Sequence, residues 1–404
     1  MKRNSFKLFA ILMASMLAGV SVSCSSSDEI TSETSESNSQ KQLTLTIRTQ
    51  TLTRAVATTD PGTAKENTMN RIAIGIFDQA GNTVRTIQEF SPTATQDEAV
   101  AGSNKFYNSG NGTATVSVVT TQLTSTDQIL VAINAPASYF AGVATAADFK
   151  KKSLTATEAL YTKSGATSPT NDMAVDDNIP MFGSANLTGS GTSFSATIKP
   201  IHLVSKVTLE SLKVDFASDG PYSAATFTPQ EIFIYNAPDG VLFDDAAPYV
   251  STSTLLTGES SSTSPAPTKF LSTGVLSGET ALSGSASFAG SRFFYTTPNN
   301  NVSTGKTKLV IKGSFDPDGA GATPAQVVYY PVKLNSNVTA EGTHAAAESG
   351  TTEYQVYPNK NYKCSVTIKT IGSTGPDADI DPTTATVTIT VTSFTSVSQS
   401  TIFQ

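Results

Sequence analysis

The same side-chain alternation stands near both ends of this chain. Leu43, Leu45 and Ile47 alternate with Thr44 and Thr46; Val387, Ile389 and Val391 alternate with Thr386, Thr388, Thr390 and Thr392. Successive side chains of an extended backbone point to opposite faces, so each stretch predicts a strand with one apolar face and one hydroxyl-bearing face. Similar runs recur between them, and few stretches have helical period, so the chain is expected to be all-β. The first pattern fades near Thr49. Arg54 is then followed by Ala55–Gly62, a small polar run through Asp60-Pro61-Gly62 that reads as a flexible loop.

The 404 residues are enough for two or three domains. Thr, Ser, Ala, Gly and Val dominate and Trp is absent, the composition of a β-rich extracellular protein. The formal charge is −7. No basic patch is interleaved with aromatics, so nucleic acid is not an expected partner.

Lys2, Arg3 and Lys7 precede the apolar run Leu8–Val20, which is too short to span a bilayer and reads as a targeting segment over residues 1–23. Cys24 follows a small residue directly behind that run. This resembles the lipobox of bacterial lipoproteins, with Ser21 where Leu is usual; the resemblance implies that Cys24 is acylated. An ordinary secretory signal with an incidental Cys is the alternative. Residues 25–40 are rich in Ser, Thr and Glu and read as a disordered tether. The Asp28-Glu29 pair resembles surface-export signals of Bacteroidetes and equally fits a solvated acidic tether. Cys364 then has no intramolecular partner, and its place among Tyr362, Val366 and Ile368 predicts a buried thiol in a core strand.

Further strands are expected at Asn70–Asp78, Thr83–Phe90, Thr113–Thr120, Gln128–Asn134 and Ser193–Ile198, the first two joined by a turn at Gln79–Asn82. Ala146–Tyr161 is the best helical candidate, with Thr145 as its cap. A first domain ends near Pro200. A second opens with His202–Phe216 and continues through Glu231–Asn236, Arg292–Thr296, Lys306–Phe315, Gln326–Leu334, Tyr362–Thr370 and Ala385–Thr392. Short strands with turn signals and at most one or two short helices predict β-sandwiches. The tail Ser393–Gln404 carries Phe394, Val397, Ile402 and Phe403, too apolar for a discarded terminus.

Signs of chemistry are weak. Gly305-Lys306-Thr307 lacks the Gly of a phosphate loop five residues before Gly305, where Asn300 stands, and precedes a strand. Asp316–Gly321 lacks the third acidic ligand and distal Glu of a calcium loop and reads as a hairpin turn. Asp176-Asp177 and Asp377, Asp379 and Asp381 are acidic loop residues. Cys364 as a nucleophile would want a nearby His, and the two histidines are His202 and His344. No metal site, cofactor or enzymatic activity is expected.

Several short motifs converge in their order along nearly the whole chain. They are Cys24, the strand ahead of Arg54-Ala55, Asn70–Asp78, Ile179-Pro180-Met181-Phe182-Gly183, Lys206-Val207-Thr208-Leu209, Phe294-Tyr295 before Pro298-Asn299, and Tyr357–Tyr362. Together they resemble the fimbrillins, shaft subunits of type V pili in Bacteroidales. The resemblance implies two transthyretin-like β-sandwich domains, residues 55–200 and 201–404. It also implies a lipidated leader, residues 24–54, removed by an Arg-specific or trypsin-like protease; carried over here, the cut falls between Arg54 and Ala55. Arg48 lies closer to the strand core, and a cut at Arg71 would open a core strand.

On this reading Leu43, Leu45 and Ile47 plug a groove temporarily, and Val387, Ile389 and Val391, in a donor strand within 385–404, replace them in a second copy. Loss of the first strand is expected to leave an unpaired sheet edge and an apolar groove. A one-residue slip would put Thr into that groove, so the alternation fixes register. Because donor and acceptor surfaces differ, the contact propagates head to tail into a homopolymer. The expected partners are other pilin subunits, the protease, anchor and tip fimbrial proteins, and the outer membrane before maturation. The place is a cell-surface fimbrium serving adhesion and biofilm formation. Two alternatives are a tip or accessory adhesin and an anchored glycan-binding surface lipoprotein.

Overall fold

The computed structural model describes residues 39–49, 66–91, 105–108, 113–161, 178–251, 254–290, 292–338, 343–378 and 385–393. In the first half the strands are β1 (Lys41–Arg48), β2 (Ile72–Phe77), β3 (Val84–Phe90), β4 (Lys105–Asn108), β5 (Thr113–Thr120), β6 (Gln128–Ile133), β7 (Ser153–Leu154), β8 (Met181–Asn186), β9 (Thr188–Ser190), β10 (Ser193–Ile198) and β11 (Ile201–His202). Two sheets result, one ordered β4-β5-β1-β10-β9 and the other β11-β8-β6-β2-β3. Leu43, Leu45 and Ile47 of β1 join Val116 and Val118 of β5 in one core with Ile72, Ile74 and Ile76 of β2 and Ile129, Val131 and Ile133 of β6. Period-2 patterning thus aims both apolar faces inward, and the pair closes as a sandwich.

β2 is buried along its whole length because its second face is covered too. Ala73 and Phe77 on that face pack with Phe140, Phe149 and Phe182. Gly75 lies between them: a Cβ there would stand 2.6 Å from the Phe77 ring and 3.0 Å from that of Phe149. Glycine is required at this point by the close approach of the aromatic cluster. Phe149 belongs to α1 (Ala146–Lys150), which is capped by Thr145 accepting from Asp148 N–H.

The single helix expected over Ala146–Tyr161 is two. α1 ends at Lys150, and α2 covers Ala156–Tyr161. Between them β7 pairs with β14 (Val241–Leu242) from the far half of the chain. Thr155 then starts the second helix by exchanging hydrogen bonds with Glu158.

The second half contributes β12 (Ser205–Val214), β13 (Thr226–Pro238), β14, β15 (Leu255–Thr257), β16 (Arg292–Thr296), β17 (Lys308–Asp316), β18 (Gln326–Lys333), β19 (Ser336–Val338), β20 (His344–Ala346), β21 (Lys360–Ile368) and β22 (Ala385–Ser393). Its sheets run β16-β12-β21-β22-β19-β20 and β15-β13-β17-β18. The apolar positions of β12, Val207 and Leu209 followed by Leu212 and Val214, break strict alternation. A bulge between Leu209 and Ser211 restores them to one face, and β13 does the same between Pro229 and Glu231. The two faces close over Tyr362, Cys364 and Val366 on one side and Ile232, Ile234, Leu309 and Ile311 on the other.

Candidate functional site: the leading strand and its seat

β1 lies inside its sheet rather than at an edge. It runs antiparallel to β5 along its whole length, Lys41 opposite Thr120 through to Arg48 opposite Thr113. On the other side it runs parallel to β10, Gln42 opposite Ser193 through to Ile47 opposite Ile198. Its removal therefore leaves a slot between two strands, with unpaired backbone on both walls, where the sequence suggested one open edge. The floor of that slot is the core: Leu43, Leu45 and Ile47 are fully buried. Burying three such side chains is worth roughly 5–9 kcal/mol before entropic costs. The start of the strand is held by polar contacts, Gln42 Nε2 to Ser117 Oγ at 3.1 Å and Lys41 Nζ to the Leu123 carbonyl at 2.9 Å.

After β1 the described chain resumes at Glu66, whose carboxylate is buried against the second sandwich. Oε1 accepts from Lys206 Nζ at 2.8 Å and from the Tyr295 hydroxyl at 2.6 Å. Lys206 is 1% exposed and Glu66 2%, and the ammonium also lies 4.8 Å from the centre of the Phe293 ring. His202 stands 2.9 Å from the Glu66 carbonyl through Nε2 and 3.1 Å from Asn359 Oδ1 through Nδ1. Burial pulls the imidazole down to about 4. One step on, Asn134, itself in the left-handed region at φ 62, accepts from Asn70 N–H and donates to the Thr68 carbonyl. The segment 66–70 is thus tied into both sandwiches. The sequence reading passed over Glu66; Lys206 figured only within a motif. A lysine between apolar strand residues was the available signal.

β22 is docked on its own sandwich. It runs antiparallel to β21, Ala385 opposite Ile368 through to Ser393 opposite Lys360. Val387 and Ile389 are buried, and Val391 is half-buried against the same core. The donor strand expected within 385–404 thus has, over residues 385–393, a seat in its own chain. On its outer side β22 registers with β19, among the described residues, at one pair, Val338 with Val387. Among the described residues the two seats are therefore unequal: β1 occupies a place with two long walls, and β22 one with a single long wall.

Cys24, Arg54 and Ala55 lie outside the described residues, as does the tail beyond Ser393. The structure does not bring β1 and β22 together; they belong to different sandwiches. Cys364 is fully buried in β21, and burial pushes its thiol well up. Asp316 and Asp318 accept backbone N–H groups of the β17–β18 turn. Among the described residues no group of three or more His, Cys, Asp or Glu side chains is placed to hold a metal ion.

Two successive all-β sandwiches define the chain's fold, and solved structures of Bacteroidales proteins share it. The fold is similar to that of the fimbrilin FimA from Porphyromonas gingivalis W83, with a TM-score of 0.56 at 17% identity over 88% of this chain and 99% of that one. A candidate cell adhesion protein from Parabacteroides distasonis ATCC 8503 gives a TM-score of 0.60 at 13% identity, covering 89% and 98%. Another from Bacteroides eggerthii DSM 20697 gives 0.58 at 19%, covering 88% and 96%. No protein-family model matches the chain, and no curated protein matches it.

Proposed function

We propose that this chain is a shaft subunit of a type V fimbria that polymerises by exchanging β1 for the β22 of a second copy. The inequality of the two seats carries the reading. Among the described residues β22 has one long ladder on its own sandwich and a single further pair; in the place of β1 it would gain ladders with both β5 and β10. Val387, Ile389 and Val391 would replace Leu43, Leu45 and Ile47 in the core, and Thr386–Thr392 would continue the hydroxyl-bearing outer face. The likeness to a fimbrilin and to candidate cell adhesion proteins supports a fimbrial, adhesive and non-enzymatic role.

In this reading residues 1–23 direct export and Cys24 carries the lipid that holds the precursor at the outer membrane. A trypsin-like or Arg-specific protease cuts between Arg54 and Ala55. β1 leaves with the leader 24–54, and sandwiches 55–200 and 201–404 remain as the mature subunit. Further copies, an anchor protein and a tip protein are its partners in a cell-surface fimbrium. The slot opened by the cut is the driving force, since two strands of unpaired backbone and an exposed apolar floor are both costly.

The test is limited trypsin digestion of the chain from Ser25 onward, followed by intact mass, denaturing gels and electron microscopy. One early cut after Arg54, followed by detergent-resistant ladders or fibres, is the expected result; Arg54→Ala and deletion beyond Thr384 should each abolish them. A chain that is cut there and stays monomeric would exclude the shaft role and leave a tip adhesin or an anchored glycan-binding lipoprotein.

A further inference from the structure

The approach to β22 and its outer side are each held by one polar side chain. Lys308, at the start of β17 and 5% exposed, aims its ammonium at the backbone leading to β22. Nζ donates to the carbonyls of Pro376 at 3.0 Å, Asp377 at 2.7 Å and Ala378 at 3.3 Å. An ammonium has three N–H donors, and three consecutive carbonyls meet them here. Just upstream, Ser373 and Tyr329 of β18 exchange both backbone hydrogen bonds at 2.9 and 3.0 Å. The chain is therefore fixed to β17 and β18 as far as Ala378.

The second hold is on the strand itself. Ile389 N–H points away from β21 and donates to Asn337 Oδ1 at 2.6 Å. Asn337 belongs to β19, and the residue that opens β19's turn is rigid. Asn335 is fully buried in the left-handed region at φ 54; it donates to Thr351 Oγ1, Thr352 O and Gln355 O and accepts from Glu348 N–H. The Asn337 amide is thus presented from a fixed support to a strand that, among the described residues, has a single registered pair on that side.

We infer that Asn337 is the latch that keeps β22 closed on its own sandwich, and that Lys308 is the pivot that stays closed when β22 leaves. The use of this device in assembly rests on the strand-exchange reading above. Its consequence is geometric: from Ala378 to Ala385 the extended chain spans at most roughly 25 Å. The slot of the receiving copy must come within that distance of Lys308, which fixes the spacing of neighbouring subunits.

Hydrogen exchange followed by mass spectrometry on the chain from Ser25 onward tests the device in the monomer; Ser39–Gln404 forms one compact unit by itself. Asn337→Ala should speed exchange of the β22 amides about five-fold, the loss of one hydrogen bond, with the β2–β6 ladder unchanged as a control of folding. Lys308→Met should speed exchange over 373–378. Unchanged β22 exchange in Asn337→Ala overturns the latch, and unchanged exchange over 373–378 in Lys308→Met overturns the pivot. After trypsin, Asn337→Ala should polymerise about five-fold faster than the unaltered chain. Faster β22 exchange with an unaltered polymerisation rate overturns latch control of assembly. An unaltered chain that never polymerises overturns the strand-exchange reading, while the monomer measurements still decide whether Asn337 and Lys308 hold β22.

Discussion

Cys364 of β21 stands directly opposite Ile389 of β22, and neither side chain reaches solvent. In a chain from Ser25 onward it is the sole cysteine. Its thiol, held protonated by burial, should be silent toward a maleimide in the uncut protein. If β22 leaves its seat on assembly, the flank of Cys364 opens. Labelling should then follow the polymerisation time course. Polymers whose Cys364 stays unreactive throughout would show that β22 had not moved.

Leu45→Ala separates the precursor from the polymer. Leu45 is fully buried in β1, so its truncation should cost the uncut chain about 2–5 kcal/mol, visible as a lower urea midpoint. Once β1 is removed the residue is gone, and the finished polymer should be as stable as one made from the unaltered chain. Destabilised polymers would mean that β1 stays in place.

His202 gives the stability of the folded chain a defined dependence on acid. Desolvation lowers its pKa from 6.5 to about 4, assisted by the nearby Lys206 ammonium and opposed by hydrogen bonding to Glu66 and Asn359. As pH falls through 6.5 the unfolded chain takes up a proton that the folded chain refuses until about pH 4. The contribution of His202 is therefore neutral above 6.5, grows unfavourable between 6.5 and 4, and levels off below at roughly 3 kcal/mol. Urea titrations at pH 8, 6 and 4.5 should show this loss in the unaltered chain and a flatter profile in His202→Gln. Parallel profiles would refute it.

Lys206→Met removes the ammonium 2.8 Å from the buried Glu66 carboxylate. Breaking one side of such a pair costs about 3–5 kcal/mol, whereas replacing both members is far less costly. The double change Glu66→Gln with Lys206→Met should therefore recover much of the stability lost in the single variant, as measured by a double-mutant cycle. Equal losses in the single and double variants would mean that the pair contributes through packing alone.

Much of the fold was legible because side-chain alternation is written residue by residue. Thr113–Thr120, Ser193–Ile198 and Arg292–Thr296 are strands with the bounds that their patterns set. The Asp316–Gly321 stretch is the turn that its spacing of Asp and Gly suggested. The helix over 146–161 failed for a nonlocal reason: Ser153 and Leu154 pair with Leu242 and Val241, and that ladder interrupts a stretch whose local preference is helical. The partnership of Glu66 with Lys206, 140 residues apart, showed locally only as a lysine set among apolar strand residues, with nothing to name its partner.

The sequence by itself determined which face of each terminal strand is apolar, and hence that Leu43, Leu45 and Ile47 and Val387, Ile389 and Val391 could fill the same kind of place. The tertiary structure alone decided that β1 sits between an antiparallel and a parallel neighbour, and that β22 rests against β21 with, among the described residues, one registered pair on its other side. The reason is that side-chain direction repeats every two residues and depends only on the local backbone, whereas a strand's hydrogen-bonding partners come from distant parts of the chain. Which strands become neighbours is set by how whole sheets close over their cores.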